Sequence, residues 1–460
     1  MSNVLAQYET EVTQVEHRKP NVPPVLARAL MALSLKGGLV VAGFGMQIIL
    51  ARSLGAEGLG VYATFLSLAT VLSITGGFGM PMATVRFLPV LIAEDRGPAL
   101  RGFLRAARRL TIATSALVAA GFCLVFLLPP LRDQAHVAIA AAALIPVFGL
   151  GTLAAGTLQA VGQPMRADLL LNLGRTAMIA GFVLLARGFG IATPEAALWL
   201  TALAVLIASA VTAVAARRAL PVPMHGPHDE AERRHWIAAG MTFTLALASV
   251  SLIERLDTIM LGVLAGAEEA GIYSVASRLA MTVLLATASV VSLMAPALAR
   301  QAAAGDRAGL QRSASVAAGL TVGLSAAVAG VLAAASPWLL PAFGRDFTAA
   351  GPPFAILLAG QVAVACCGTP GGLLALSGRN RALIIVAVAA VILDMVLCLA
   401  LVPVFGPEGA AVATVTTLLA QAACLSVVVR RSLGVDPSVI GAVLLAWRAL
   451  RPRLRNEETG

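Results

Sequence analysis

Uninterrupted apolar runs recur along nearly the whole chain, each around 20 residues long. A helix rises about 1.5 Å per residue, so each run can cross the roughly 30 Å hydrocarbon core of a bilayer. The strands of a membrane barrel alternate apolar and polar residues, which these runs do not. Only 12% of the residues are charged, whereas a soluble domain has about 25%. The sequence therefore predicts an all-α membrane protein.

The apolar runs predict twelve spans in two lobes of six, an N-terminal lobe at 29–217 and a C-terminal lobe at 236–431. The spans are 29–51, 59–82, 109–130, 136–160, 166–187, 194–217, 236–263, 271–296, 313–335, 353–376, 381–403 and 408–430. The remaining segments are a tail at 1–28, a linker at 218–235, and a tail with an interfacial helix at 432–460. We expect all three to be cytoplasmic.

The positive charges orient the predicted spans. Of the 33 Lys and Arg residues, 25 fall in the tails and even-numbered loops, and four fall in the odd-numbered loops. This positive-inside bias predicts that both termini are cytoplasmic. The formal net charge of +10 then indicates contact with anionic lipid, and no nucleic-acid partner is expected. The cysteines lie in apolar runs and the histidines lack ligand spacing, so we expect no metal site.

The second half of the sequence repeats motifs of the first. "LGAEGLGVYA" at 54–63 aligns with "LAGAEEAGIYS" at 264–274, which pairs Tyr62 with Tyr273. Two lobes of six spans enter the membrane in the same orientation because six is even. The repeat therefore predicts a pseudo-twofold axis along the membrane normal and a pathway between the lobes.

Two hairpin motifs resemble those of a known family. "ILARSLGAEGLGVYATFLSLATVLSITGGFGMPMATVRFLP" at 49–89 and "IERLDTIMLGVLAGAEEAGIYSVASRLA" at 253–280 are similar to hairpins of the polysaccharide-flippase family. That family belongs to the superfamily of multidrug, oligosaccharidyl-lipid and polysaccharide exporters. The resemblance extends over about residues 29–431. It implies a central cavity lined by spans one, two, seven and eight.

The resemblance also implies a function and a location. Members of this family flip lipid-linked oligosaccharides across the bacterial inner membrane for polysaccharide, lipopolysaccharide or O-antigen biosynthesis. The implied partners are the lipid-linked substrate, membrane lipids, and the glycan polymerase or ligase machinery. No phosphate-binding GxxxxGK[ST] loop is found, so we expect no ATP hydrolysis, no catalytic residue and no bound cofactor.

Seven charged side chains fall inside the predicted spans. They are Lys36, Arg175, Glu254, Arg255, Asp257, Arg278 and Asp394. A charge facing lipid near a helix centre costs at least about 2.5–3.5 kcal/mol, so these side chains are expected to face inward. The cations, with Arg86 at the predicted end of span two, are candidates for binding a diphosphate, since arginine holds two oxygens and keeps its charge. The carboxylates are candidates for coupling to H⁺, Na⁺ or the membrane potential.

Each candidate also has a structural interpretation. Asp257 and Arg278 are expected at similar depth on adjacent spans, where they would form an ion pair that locks the hairpin. Lys36 is near enough to the interface to snorkel, and Arg86 is a candidate cytoplasmic anchor. Arg175 would instead bond to a backbone carbonyl, and the same alternative applies to Asp394.

Glycines and a proline crowd the predicted end of span two. They are Gly76, Gly77, Gly79 and Pro81. Glycine in a membrane helix permits close packing, and proline kinks a helix. These residues are therefore either packing positions or a gating hinge.

Two other functions remain open. A drug–cation antiporter of the same superfamily would need acidic and aromatic side chains, but aromatics are only 5% of the chain. A membrane glycan polymerase or ligase would need a large outer loop with catalytic groups. The longest predicted outer loop, 336–353, has only Arg345 and Asp346 as charges. We therefore expect a flippase and not an enzyme.

Overall fold

The computed structural model describes residues 22–221, 229, 232–376 and 380–441. These residues are almost entirely helical and include no strand. The tail at 1–21, most of the linker and residues 442–460, where most of the expected interfacial helix falls, lie outside the described residues. The predicted domain boundaries stay predictions.

The helices follow the apolar runs. The N-terminal lobe comprises α1 (Val22–Gly76), α2 (Met80–Ala93), α3 (Gly97–Val125), α4 (Ala135–Ala160), α5 (Pro164–Gly188) and α6 (Pro194–Ala219). The C-terminal lobe comprises α7 (Arg233–Ile253), α8 (Leu256–Leu264), α9 (Ala267–Ala280), α10 (Thr282–Ala303), α11 (Arg307–Phe343), α12 (Gly351–Cys366), α13 (Pro370–Leu376) and α14 (Asn380–Leu433).

The described residues include ten helices long and apolar enough to cross a membrane. Two of these lie in α1, of 55 residues, and α14, of 54 residues, which are far longer than a single span requires. The backbone leaves helical geometry at Gly55 in α1 and at Gly406 in α14. Each bend falls between two predicted spans. The helical membrane architecture is confirmed, while twelve crossings stay a prediction.

The helix that contains the predicted span two breaks after Gly76, and a separate helix, α2, begins at Met80. Gly79 has left-handed backbone dihedrals, φ 59° and ψ 4°, and Pro81 lies in the first turn of α2. Proline at a helix start loses no hydrogen bond because its missing N–H would be unpaired there. The chain breaks at these glycines, since α1 ends at Gly76, and the placement of Arg86 at the cytoplasmic end of span two stays a prediction. The proline starts a new helix, and Arg86 lies inside α2.

The break between α1 and α2 is packed on both sides. The Thr114 hydroxyl donates to the Gly76 carbonyl at 2.5 Å, which satisfies a group that the break leaves without a helical partner. A Cβ at Gly76 would lie 2.9 Å from Ser115 Cα, and one at Gly79 would lie 2.9 Å from Thr244 N. These contacts support the packing interpretation of the glycines. Their role as a hinge stays a prediction.

The lobes meet at the end of the molecule where Arg217–Arg218 and Arg430–Arg431 close α6 and α14. We call this the arginine-rich end. The rings of Phe103 and Trp236 pack edge to face there, with centroids 5.2 Å apart. Arg96 Nη2 lies 2.6 Å from Glu232 Oε1. The hydrogen bond that the Arg96 guanidinium donates to Glu232 holds the pKa of Arg96 above its ordinary value. These contacts join the start of α7 to α2 and α3.

The lobes also meet at the opposite end, where α1 packs on α9. Gly60 and Gly271 occupy equivalent positions in the repeat and contact each other across the lobe interface. A Cβ at Gly60 would lie 2.8 Å from Gly271 N, and one at Gly271 would lie 3.0 Å from Gly60 N. Any larger residue would overlap the partner backbone, so the Gly-x-Tyr motif provides a close lobe–lobe contact.

Candidate functional site

Each lobe contains a tyrosine–threonine hydrogen bond, and the internal repeat places the two bonds at equivalent positions. Tyr62 shares a hydrogen bond of 3.0 Å with Thr201, and Tyr273 shares one of 3.2 Å with Thr414. The tyrosines lie 211 residues apart and the threonines 213 apart. The two lobes therefore have the same local structure around these tyrosines. Residues that differ between the lobes here are candidates for a functional role.

Three arginines gather near Tyr62. They are Arg175 in α5, Arg255 at the break before α8, and Arg278 in α9, and we call them the arginine cluster. Each lies close enough to the other two for electrostatic repulsion. Arg175 and Arg278 also interact electrostatically with Tyr62. Because both lobes contribute, the cluster lies between them.

The arginine cluster forms no close ion pair among the described residues, although the charges of Glu254 and Asp257 attract Arg255. None of its guanidinium groups forms an ion pair there, and the buried Nε of Arg255 has no hydrogen bond. The Arg175 guanidinium lies 5.4 Å from the centroid of the Phe148 ring, a cation–π contact. Arg175 and Arg255 are half-buried and Arg278 is exposed, and cations held this close together repel one another unless a counter-charge is present. This arrangement can bind an anion with several oxygens.

Local breaks in helical geometry position two of these arginines. Arg175 follows a π-helical stretch, Asp168–Leu173, within α5. Arg255 lies where α7 ends and α8 begins, with φ −135°. Irregular backbone at membrane depth is tolerated where it is buried in protein or lines a cavity. Both breaks are therefore consistent with side chains directed at an internal site.

The predicted ion pair between Asp257 and Arg278 is wrong. Asp257 is 2% exposed and accepts hydrogen bonds from Tyr273 Oη at 2.5 Å and Thr258 N at 2.7 Å. Thr414 Oγ1 donates to it at 3.2 Å. The break before Leu256 starts a new helix, so Asp257 is directed into the C-terminal lobe, whereas Arg278 is exposed. The predicted pairing assumed an unbroken helix, and the break at Arg255 changes the direction of the Asp257 side chain.

A second buried carboxylate lies near Asp257. Asp394 in α14 is 1% exposed, and neither of its carboxylate oxygens has a hydrogen bond among the described residues. The Thr417 hydroxyl lies beside it but outside hydrogen-bonding geometry. Asp257 is close enough to Asp394 for electrostatic repulsion. We call these two aspartates with Thr414 and Thr417 the carboxylate pocket. Its oxygen atoms suit a proton or a hard cation.

The comparison of the sequence with known families decides the family. The profile described as "Polysaccharide biosynthesis protein" matches residues 26–302. The chain belongs to this family. No curated protein sequence matches the chain.

The fold of this polysaccharide biosynthesis protein is similar to those of solved transporters. An inward-facing multidrug resistance MATE family transporter of the MOP superfamily has 14% identity and a TM-score of 0.65, over 86% of this chain and 94% of that one. The lipid II flippase MurJ, in an inward closed conformation, has 14% identity and a TM-score of 0.68, over 87% of each chain. The MATE multidrug transporter DinF-BH has 18% identity and a TM-score of 0.62, over 90% of this chain and 97% of that one. These similarities confirm the two-lobed fold.

The other predicted site residues, Lys36, Arg86 and Glu254, belong neither to the arginine cluster nor to the carboxylate pocket. Lys36 lies in α1, but its side chain is outside the described part of the structure. The Arg86 guanidinium lies 5.6 Å from the ring centroid of Phe87 and 5.9 Å from that of Phe243, so it contacts both lobes. Glu254 is exposed, and its charge attracts Arg255.

Sequence reasoning missed the uncharged members of these sites. The tyrosines were assigned only to hairpin motifs, and Phe148, Thr201, Thr414 and Thr417 were not identified. A usable signal existed for two of them, because Thr201 and Thr414 occupy equivalent positions at nearly the offset of the tyrosines. No equivalent pattern marks Thr417 or Phe148.

We expect the equivalent substitutions Tyr62→Phe and Tyr273→Phe to have unequal costs. Loss of the neutral Tyr62–Thr201 hydrogen bond should cost about 1 kcal/mol of unfolding free energy. Loss of the Tyr273 hydroxyl removes a bond to the Asp257 carboxylate, which should cost about 1.5–3 kcal/mol. Denaturant unfolding in one detergent would measure both. Equal costs would show that the hydrogen bond to the Asp257 carboxylate contributes no additional unfolding free energy.

Proposed function

We propose that this protein is a flippase for a polyprenyl-diphosphate-linked oligosaccharide. It moves the substrate from the cytoplasmic to the outer leaflet of the bacterial inner membrane, for polysaccharide or O-antigen biosynthesis. The observation that carries the proposal is the unpaired arginine cluster between the lobes. The family match and the similarity of the fold to a lipid II flippase support it.

The chemistry of the substrate matches this site. A polyprenyl tail stays in lipid, but sugars and a diphosphate are too polar to enter hydrocarbon without a protein. Arg255, Arg278 and Arg175 bind the diphosphate through charge-assisted hydrogen bonds, which arginine forms in pairs. The lobes then rock about the bound head group. No covalent step is needed, so we propose a transporter and not an enzyme.

The two lobe–lobe contacts provide the gates. The Gly60–Gly271 contact opens toward the outer side, and the contact of α7 with α2 and α3 opens toward the cytoplasm. The glycine break at Gly76–Gly79, followed by Pro81, is the hinge between them. The solved relatives described as inward-facing and inward closed support such alternation in this fold.

We propose that the carboxylate pocket couples transport to a gradient of H⁺ or Na⁺ or to the membrane potential. A potential contributes about 2.3 kcal/mol per charge per 100 mV. We expect Asp394→Asn to remove the acceleration of transport by an imposed gradient, because the unpaired Asp394 carboxylate is the group available to a cation. Asp346→Asn is the matched control, because Asp346 is an exposed aspartate that lies outside the carboxylate pocket. A wild-type rate insensitive to collapsing every gradient would contradict the coupling.

A drug–cation antiporter is the second candidate, since two of the similar structures are multidrug transporters and the carboxylate pocket is acidic. The arginine cluster disfavours it, because three cations between the lobes repel a cationic drug. A glycan polymerase or ligase has no comparable support. Such an enzyme is instead an expected partner, together with membrane lipids.

Reconstitution into liposomes separates these functions. A fluorescent polyprenyl-diphosphate oligosaccharide in the inner leaflet should become accessible to an external quencher faster with the protein than without it. A fluorescent cationic dye should not be transported. Transport of the dye, with no flipping of the lipid-linked sugar, would assign the protein to the antiporters.

A further inference from the structure

A cavity of about 290 Å³, partly open to the surface, lies in the N-terminal lobe. Faces of α3, α4 and α6 line it, with side chains that include Leu150, Ala154, Ala210 and Ala213. None of these helices carries a residue of the arginine cluster or of the carboxylate pocket. The transport mechanism therefore leaves this cavity without a role.

The sequence explains why space remains there. Pro146 lies inside α4, and a proline in a helix interior removes a backbone hydrogen bond and bends the helix. Three of the lining positions on the facing helix α6 are alanines, Ala210, Ala213 and Ala216, which fill little volume. A bent helix facing small side chains leaves an elongated gap.

The lining is apolar although two hydroxyl groups border it. The Thr157 hydroxyl donates to the Leu153 carbonyl at 3.0 Å, and the Ser209 hydroxyl donates to the Val147 carbonyl at 3.4 Å. Both donors are therefore used within the protein. An ordered water needs two to four polar partners, so this surface favours hydrocarbon over water.

The length of the cavity fits one leaflet. Its lining on α6 runs from Leu206 to Arg217, which is about 17 Å at 1.5 Å per residue. Half of a hydrocarbon core is about 15 Å thick. A single acyl chain can therefore extend along the cavity from the membrane surface to the midplane.

The two charged side chains that line the cavity lie at its arginine-rich end. They are Arg108 of α3 and Arg217 of α6, and both are exposed. Neither forms an ion pair within the described part of the chain. Basic side chains at the mouth of a gap between membrane helices suit an anionic lipid head group.

We propose that this cavity is a binding site for one anionic phospholipid of the cytoplasmic leaflet. One acyl chain fills the space between α3, α4 and α6, and the phosphate is held by Arg108 and Arg217. The bound lipid replaces the missing packing beside Pro146 and ties three helices of the lobe together. The site lies within one lobe, so it is distinct from the proposed path of the substrate.

Native mass spectrometry of the full chain in detergent tests the site. Phosphatidylglycerol and phosphatidylcholine with the same acyl chains are titrated separately, and the affinity of the first bound lipid is compared. We expect phosphatidylglycerol to bind roughly 25-fold more tightly, since each arginine contributes about fivefold. The double variant Arg108→Gln/Arg217→Gln should remove this preference. Ala213→Leu should weaken both lipids about tenfold or more by filling the cavity.

Two neighbouring residues provide matched controls. Arg218→Gln removes an exposed arginine that does not line the cavity, and Val214→Leu enlarges a 48% exposed side chain of α6 that does not line it either. Both should bind lipid as the wild type does. Equal wild-type affinity for the two lipids, or an unchanged preference in the double arginine variant, would overturn the proposal. Competition with a polyprenyl monophosphate is a further test. If it displaces phosphatidylglycerol at a concentration lower than phosphatidylglycerol itself needs for binding, the cavity belongs to the substrate tail and the proposal is overturned.

Discussion

We expect Gly271→Val to abolish transport while both lobes remain folded. The Cβ and methyl groups of valine would overlap the carbonyl of Ala56 and crowd the amide of Gly60, which lies 3.0 Å from the position of a Cβ. Gly271 and Gly60 belong to different lobes, so the overlap separates the lobes and leaves the packing within each lobe unchanged. The gate at this end then cannot close, and alternating access stops.

Accessibility and transport test this expectation together. In a cysteine-free background, Ala56→Cys should be nearly inert to a polar maleimide, because Ala56 is buried, and should react once Gly271→Val is added. Gly330→Val is the matched control, since Gly330 is helical and has open space where a Cβ would be. If Gly271→Val transports at the rate of Gly330→Val, the close contact is not a gate.

The second large effect is expected from the arginine cluster. Arg255→Gln and Arg278→Gln should each reduce transport at low substrate concentration by about 10- to 100-fold. Each removes hydrogen bonds to a charged group, which contribute about 1.5–3 kcal/mol. Folding should be unchanged or slightly improved, because the substitutions relieve repulsion among unpaired cations. Flipping in liposomes and the unfolding midpoint would separate the two effects.

Arg187→Gln is the control for these variants. Arg187 is exposed at the end of α5, outside the cluster, and its substitution changes the net charge equally. It should flip substrate at the wild-type rate. A similar loss in Arg187→Gln would mean that total charge matters and the cluster does not. Normal flipping by both Arg255→Gln and Arg278→Gln would remove the diphosphate site from the mechanism.

Much of the fold followed from the apolar runs and the internal repeat. Hydrophobic length determines which segments can span a bilayer, and this signal is local in the sequence. The repeat also paired Gly60 with Gly271 and Tyr62 with Tyr273, and the structure gives each pair equivalent contacts. The glycines and the proline at 76–81 marked a break that the structure contains, but the length of α2 beyond it was not predicted, because apolar sequence continues through the break.

The candidate site was predicted less completely. Charged residues in apolar segments are conspicuous, so Arg175, Arg255 and Arg278 could be identified from sequence. Which of them meet depends on helix rotation, and the break before Leu256 turned Asp257 away from Arg278. The separation of an arginine cluster from a carboxylate pocket is a tertiary feature. No spacing along the chain indicates it.

The central claim is that the arginine cluster binds the diphosphate of a lipid-linked substrate. Calorimetric titration of the detergent-solubilised protein with a short-chain prenyl diphosphate and the corresponding prenol tests it most directly. We predict that the diphosphate binds about tenfold or more tightly, that salt weakens its binding, and that Arg175→Gln/Arg255→Gln/Arg278→Gln removes the difference. Equal affinity of the wild-type protein for the diphosphate and the prenol, or a preference that survives in the triple variant, would contradict the claim.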